Sequence, residues 1–101
     1  MTKGFRKASS ASADDTSLQG YVTVPYSKLV RVFGKAGRGD REKVDAEWVL
    51  KFDDGTVATI YNYKDGKAYL GKNGKSVSQI TAWHIGGKSV KAVRLVKAAL
   101  R

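Results

Sequence analysis

The chain has no cysteine, a single proline and a single histidine, and its last 35 residues contain neither Asp nor Glu. Without cysteine there is no disulfide and no thiolate zinc site, and nothing points to an oxidising compartment. The lone His84 and the carboxylates Asp40, Glu42, Asp45 and Glu47 show no recognised ligand spacing. No nucleophile, base and orienting group stand together, so a non-catalytic protein without metal or cofactor is expected. No apolar run approaches the roughly 20 residues needed to span a bilayer. Residues 1–20 also lack the apolar stretch of a secretory signal, and no membrane partner is expected.

What the chain does have is positive charge, unevenly spread. Net charge is +10 over 101 residues. Residues 20–43 carry six basic and two acidic side chains, residues 44–66 two basic and five acidic. From Lys67 onward there are eight basic residues: Lys67, Lys72, Lys75, Lys88, Lys91, Arg94, Lys97 and Arg101. A run that long without an acid concentrates positive potential on one surface, and polyanions are the first partners to consider. A hydrophobic fraction of 42% suffices for one core, and the length argues for one domain.

Residues 1–19 are rich in Ser, Ala, Thr and Asp, with Phe5 and Leu18 almost their only large apolar groups. They are expected to form a flexible tail ahead of a single domain over residues 20–101. Tyr21–Val24 is β-prone. Pro25 then suits a helix start, Tyr26, Leu29, Val30 and Phe33 share one helical face, and Gly34 supplies the stop. Residues 35–43, with basic residues and glycine but no large apolar group, predict an exposed, mobile loop.

From Ala46 the period changes to two, with Trp48, Leu50 and Phe52 on one side. Asp53-Asp54-Gly55 closes a hairpin. A three-residue loop with a left-handed Gly55 would pair Phe52, Leu50 and Trp48 with Thr56, Ala58 and Ile60, giving a continuous core face. The turns Lys64-Asp65-Gly66 and Lys72-Asn73-Gly74 extend a meander with strands at Lys67–Leu70 and Ser78–Ile85, broken by Gly86-Gly87. Ser89 is a credible N-cap for a last helix, Val90–Arg101. Its apolar side would carry Ala92, Val93, Leu95, Val96, Ala99 and Leu100. The expected fold is α+β, a small antiparallel meander sheet covered on one face by two helices.

Three groups of residues invite function. Lys88, Lys91, Arg94, Lys97 and Arg101, spaced three or four apart, form a ridge able to lie along phosphates, with Lys72, Lys75, Arg38 and Arg41 as nearby basic contributors and Lys28 and Arg31 as part of a second patch. Gly87, Lys88 and Ser89, where a strand meets a helix, resemble half of a phosphate loop. Ala82 replaces its first glycine, so a single phosphate contact is expected rather than nucleotide hydrolysis. Tyr61, Tyr63, Tyr69 and Trp83 make an aromatic group on or near the sheet face away from the core, suited to stacking bases or anchoring a protein interface. His84, on the side opposite Trp83 and Ile85, reads as a hydrogen-bonded structural histidine.

The strings Val44-Asp-Ala-Glu-Trp48, Asp54-Gly-Thr-Val-Ala-Thr-Ile-Tyr-Asn-Tyr-Lys64 and Ile80-Thr-Ala-Trp-His-Ile-Gly-Gly87 resemble a family of short proteins encoded by tailed bacteriophages. The Trp-His-Ile-Gly-Gly string is the most specific part. The resemblance implies a phage accessory protein in the host bacterial cytoplasm, and it transfers no activity and no functional residue.

Two functions follow as expectations. One is nucleic-acid binding, DNA or RNA, through the basic last helix and adjacent loops, by a monomer or small homo-oligomer. The other is a host-takeover or anti-defence role, for example as an anti-CRISPR, in which the chain binds a nucleic-acid-processing protein through the aromatic residues or through Asp53, Asp54 and Asp65 as a phosphate mimic.

Overall fold

The computed structural model describes residues 4–40 and 42–101. Its frame is a five-stranded antiparallel sheet, with β1 Phe5–Lys7, β2 Ser17–Thr23, β3 Glu47–Phe52, β4 Val57–Tyr61 and β5 Ala82–Gly87 in the spatial order β1-β3-β4-β5-β2. Three α-helices accompany it: α1 Tyr26–Phe33, the single turn α2 Lys67–Leu70, and α3 Lys91–Ala99. The class is α+β as expected, and β3, β4 and β5 run as a meander.

The β3–β4 hairpin has the three-residue loop. Trp48 pairs with Ile60 and Leu50 with Ala58, while the Phe52 N–H donates to the Thr56 carbonyl at 2.8 Å. Gly55, at φ 91°, takes the left-handed conformation that closes this turn. The alternation puts Trp48, Leu50, Phe52, Ala58, Ile60, Trp83 and Ile85 in one buried cluster, to which α1 adds Leu29 and Phe33 and α3 adds Ala92, Val93, Val96 and Leu100. Each fully buried aliphatic side chain here contributes about 1.5–3 kcal/mol.

Two indole nitrogens tie the helices' flanks to this core. Trp48 Nε1 donates to the Gly34 carbonyl at 2.8 Å and Trp83 Nε1 to the Val24 carbonyl at 3.1 Å.

The first 19 residues do not form a tail where the structure describes them. β1 lies beside β3, with Phe5 opposite Phe52 and packed edge-on to Phe33, and β2 begins at Ser17 beside β5. A 3-10 turn, Ser10–Ala13, crosses the second face of the sheet against β3 and β4. Sheet pairing supplies what apolar content could not, because each edge strand needs only one matched neighbour.

Other expected elements also change. Lys67–Leu70 is helical, since Asp45 Oδ2 accepts the Ala68 N–H at 3.0 Å and fixes the first turn. The predicted strand at Ser78 is a 3-10 turn, Val77–Gln79, with Ser76 and Gln79 in a capping box. Gly86 and Gly87 end β5 instead of breaking it. The described residues of the expected loop, 35–40 and 42–43, are held by Asp40 Oδ1, which accepts the N–H groups of Glu42, Lys43 and Val44, and by the Gly37–Glu47 bridge. Arg41 lies outside the described residues. No helix among the described residues is long and apolar enough to cross a membrane.

Candidate nucleic-acid interface

The positive surface is shaped by what the carboxylates do. Asn62 is fully buried in a polar knot. Its Nδ2 donates to Asp45 Oδ1 at 2.8 Å and to Asp65 Oδ1 at 3.0 Å, and its Oδ1 accepts the N–H groups of Asp45 and Ala46. Asp54 accepts the Thr56 N–H and pairs with Lys91. The Lys91 ammonium first, and then Thr56, hold its carboxyl well below the ordinary carboxylate range. The N–H groups of Lys43 and Glu42 lower the pKa of Asp40. Four of the nine acids are therefore committed to internal bonds.

Against this, α3 presents Arg94 and Lys97 to solvent, and Lys88 just before it and Arg101 just after it are exposed as well. The only ion pair among the described residues is Lys91–Asp54, so Lys91 is the one member of the predicted ridge whose charge is met within the chain. The helix can lie this close to the sheet because Gly20 and Gly87 face it. A Cβ at Gly87 would stand 2.5 Å from the Ala92 Cβ, and one at Gly20 would stand 3.0 Å from Val93 Cγ2.

That packing explains the strand-to-helix junction. Gly87 is a buried sheet residue opposite Ser17 and Ala58, and its carbonyl accepts a hydrogen bond from Gln19 Nε2. Ser89 Oγ accepts the Lys91 N–H at 3.3 Å. Of the expected phosphate contact, Lys88 alone is an exposed side chain without an assigned partner.

The remaining predicted cations sit on other elements. Lys72 and Lys75 are exposed after α2, Arg31 is exposed and Lys28 half-buried on α1. Arg38 joins residues that no sequence pattern groups. With Lys7, Lys35 and Glu47 it lines a cleft of about 450 Å³ over Trp48, and with Lys67 and Asp45 a shallower one of about 360 Å³.

The second sheet face carries the aromatics. Register aligns Glu47, Tyr61, His84 and Tyr21 in one row across β3, β4, β5 and β2. The His84 ring stacks on Tyr61 with centroids 5.4 Å apart at 23°, meets Tyr21 edge-on at 5.0 Å, and lies 5.7 Å from Tyr63. Tyr21 is 59% exposed, Tyr63 42% and Tyr69 50%. Lys64 Nζ lies 5.3 Å from the ring centroids of both Tyr63 and Tyr69. Trp83 does not belong to this group. It is 1% exposed on the core face, stacked with Tyr26 and edge-on to Trp48.

His84 is not hydrogen-bonded as expected, because its Nδ1 is buried without a partner. Burial lowers its pKa, opposed by the Asp65 charge. Burial also raises Glu47, helped by Asp40, and raises Tyr61, helped by Glu47, Tyr21 and Tyr63.

Tyr21 and Lys64 escaped the sequence reading for a clear reason. Nothing local shows that β2 pairs with β5, or that the turn after β4 brings Lys64 back over two tyrosines. Among the described residues no group of three His, Asp or Glu side chains converges as a cation site. Comparison with protein-family models, curated proteins and solved structures finds no match to this chain.

Proposed function

We propose that this is a non-catalytic phage accessory protein that binds nucleic acid in the host bacterial cytoplasm, chiefly through Lys88, Arg94, Lys97 and Arg101. The observation that carries this reading is the exposed, acid-free ridge of α3 and its two flanks, in which Lys91 alone meets a carboxylate among the described residues. Such a ridge neutralises phosphates and releases their counterions, which gives affinity without sequence selectivity. The alternative, an anti-defence protein offering its acidic hairpin as a phosphate mimic, has less support. Asp54 is paired with Lys91 and Asp65 is bonded to Asn62, which leaves Asp53 alone to imitate a phosphate row.

Fluorescence anisotropy of labelled DNA and RNA across a salt series tests the proposal. With four or five phosphates contacted, affinity should fall by about two to three decades between 50 and 200 mM salt. Arg94→Glu/Lys97→Glu should abolish binding at 150 mM salt and flatten the slope of what remains at lower salt. Binding that appears only at low salt and survives the double substitution would overturn the reading.

A further inference from the structure

Half of the second sheet face is occupied. The chain between β1 and β2 crosses it, and Thr59 is almost fully buried there. The other half is bare, and it is where Tyr21, Tyr61, Tyr63 and His84 stand together, with Leu18 exposed on the same strand as Tyr21. Soluble domains seldom leave several aromatic rings side by side in water without a use for them.

We propose that this bare half-face is a stacking platform for single-stranded nucleic acid, seating two or three unpaired bases on Tyr21, Tyr63 and the Tyr61–His84 pair. The proposal rests on the nucleic-acid reading and adds the substrate class. A duplex keeps its base faces stacked on one another and can offer this surface only phosphates, whereas an unpaired base offers a free π-face to each ring.

Glu47 stands beside Tyr61 at one end of the row, but the cations on this face outnumber it and favour a polyanionic strand over an apolar partner. Lys64 stands exposed between Tyr63 and Tyr69, placed to follow a phosphate while the rings hold the bases. Arg6 and Lys51, paired across β1 and β3, carry positive charge on the same face beyond the covered half. The imidazole belongs to the platform as a ring. It is held by three tyrosines and not by a hydrogen bond, and a neutral His84 extends the flat surface of Tyr61.

The test compares anisotropy of labelled oligothymidylate, oligouridylate and a DNA duplex of equal length with four proteins, the wild type and three double variants. Tyr21→Ala/Tyr63→Ala should weaken both single strands by at least about tenfold and the duplex by less than about twofold. It should leave the salt slope unchanged, because stacking releases no counterions. Tyr21→Phe/Tyr63→Phe should keep single-strand affinity, since the ring and not the hydroxyl does the stacking. Arg94→Glu/Lys97→Glu should flatten the slope for every probe. Thermal melts confirm that each variant folds.

If the charge reversal abolishes binding while the tyrosine variants leave it intact, or weaken single strand and duplex alike, the platform falls and the nucleic-acid reading stands. If the wild type binds no probe at 150 mM salt, both fall. Sedimentation that shows a wild-type dimer dissociated by Tyr21→Ala/Tyr63→Ala would give the face to a second copy of the chain and overturn the platform.

Discussion

At the scale of single residues the main structural surprise is Asn62. All four of its hydrogen-bonding positions are used, and they join the entry to β3, the turn after β4 and, through Asp45, the first turn of α2. Asn62→Leu would leave the N–H groups of Asp45 and Ala46 without their acceptor and should cost about 3 kcal/mol. For a domain of this size that lowers the melting temperature by roughly 12 °C or more, measurable by circular dichroism. Asn62→Asp keeps the shape but sets a third carboxylate against Asp45 and Asp65, and should be at least as damaging at neutral pH. In the sequence, Asn62 reads as a residue near the end of the hairpin's return strand, with nothing to mark it as the centre of a polar knot. Its burial depends on Asp45, 17 positions away, and no local pattern reports that. The neighbouring hairpin register was legible because Trp48, Leu50, Phe52, Ala58 and Ile60 form one alternating set that only a loop ending at Gly55 brings together.

At the scale of elements, α3 and α1 followed from helical spacing and the Tyr21–Thr23 end of β2 from its β-prone run, whereas α2, β1 and the Ser17–Gly20 start of β2 did not. A four-residue helix has no period to detect, and an edge strand of three residues is decided by its partner. The junction of β5 and α3 yields a prediction that separates packing from binding. Gly87→Ala would press a methyl into the Ala92 Cβ, and should cost about 2 kcal/mol as overpacking between two backbones. Gly20→Ala should cost less, because the Val93 side chain it meets can turn aside. If Gly87 serves the helix contact and not an anion, Gly87→Ala should melt lower yet bind nucleic acid as tightly as the wild type while folded. Chemical denaturation and anisotropy on the same sample check both halves.

For the whole molecule, the titrating groups set a pH profile. Asp40 and Asp54 have pKa values below the ordinary 3.8, so the stability they confer is present above that value and is lost as pH falls through their depressed folded values. His84, lowered from 6.5 by burial, favours the neutral form. Its contribution is complete above 6.5 and fades on acidification. Glu47 acts in the opposite sense, since its raised pKa means that stability declines as pH rises from 4.5 through the folded value. The urea midpoint should therefore begin to fall below about pH 6.5, ahead of the carboxylate region. His84→Phe should remove that early decline and keep the later one. Total charge and the acid-free C-terminal third could be read from the sequence, but which acids were already engaged could not, because each engagement joins segments brought together by folding.

The strand order also governs how the protein can be made. β1 and β2, adjacent in the chain, occupy opposite edges of the sheet, about 19 Å apart at four strand spacings. The nine residues between them reach about 30 Å when extended, enough to cross and still take up the slack in the 3-10 turn Ser10–Ala13. During synthesis this ribbon emerges before either of the strands it borders, and β5, which β2 needs, is translated some 60 residues later. The two edges therefore close at different times: β1 can pair as soon as β3 is made, whereas β2, the strand that carries Tyr21, stays without its neighbour until β5 follows, and the aromatic row is completed last.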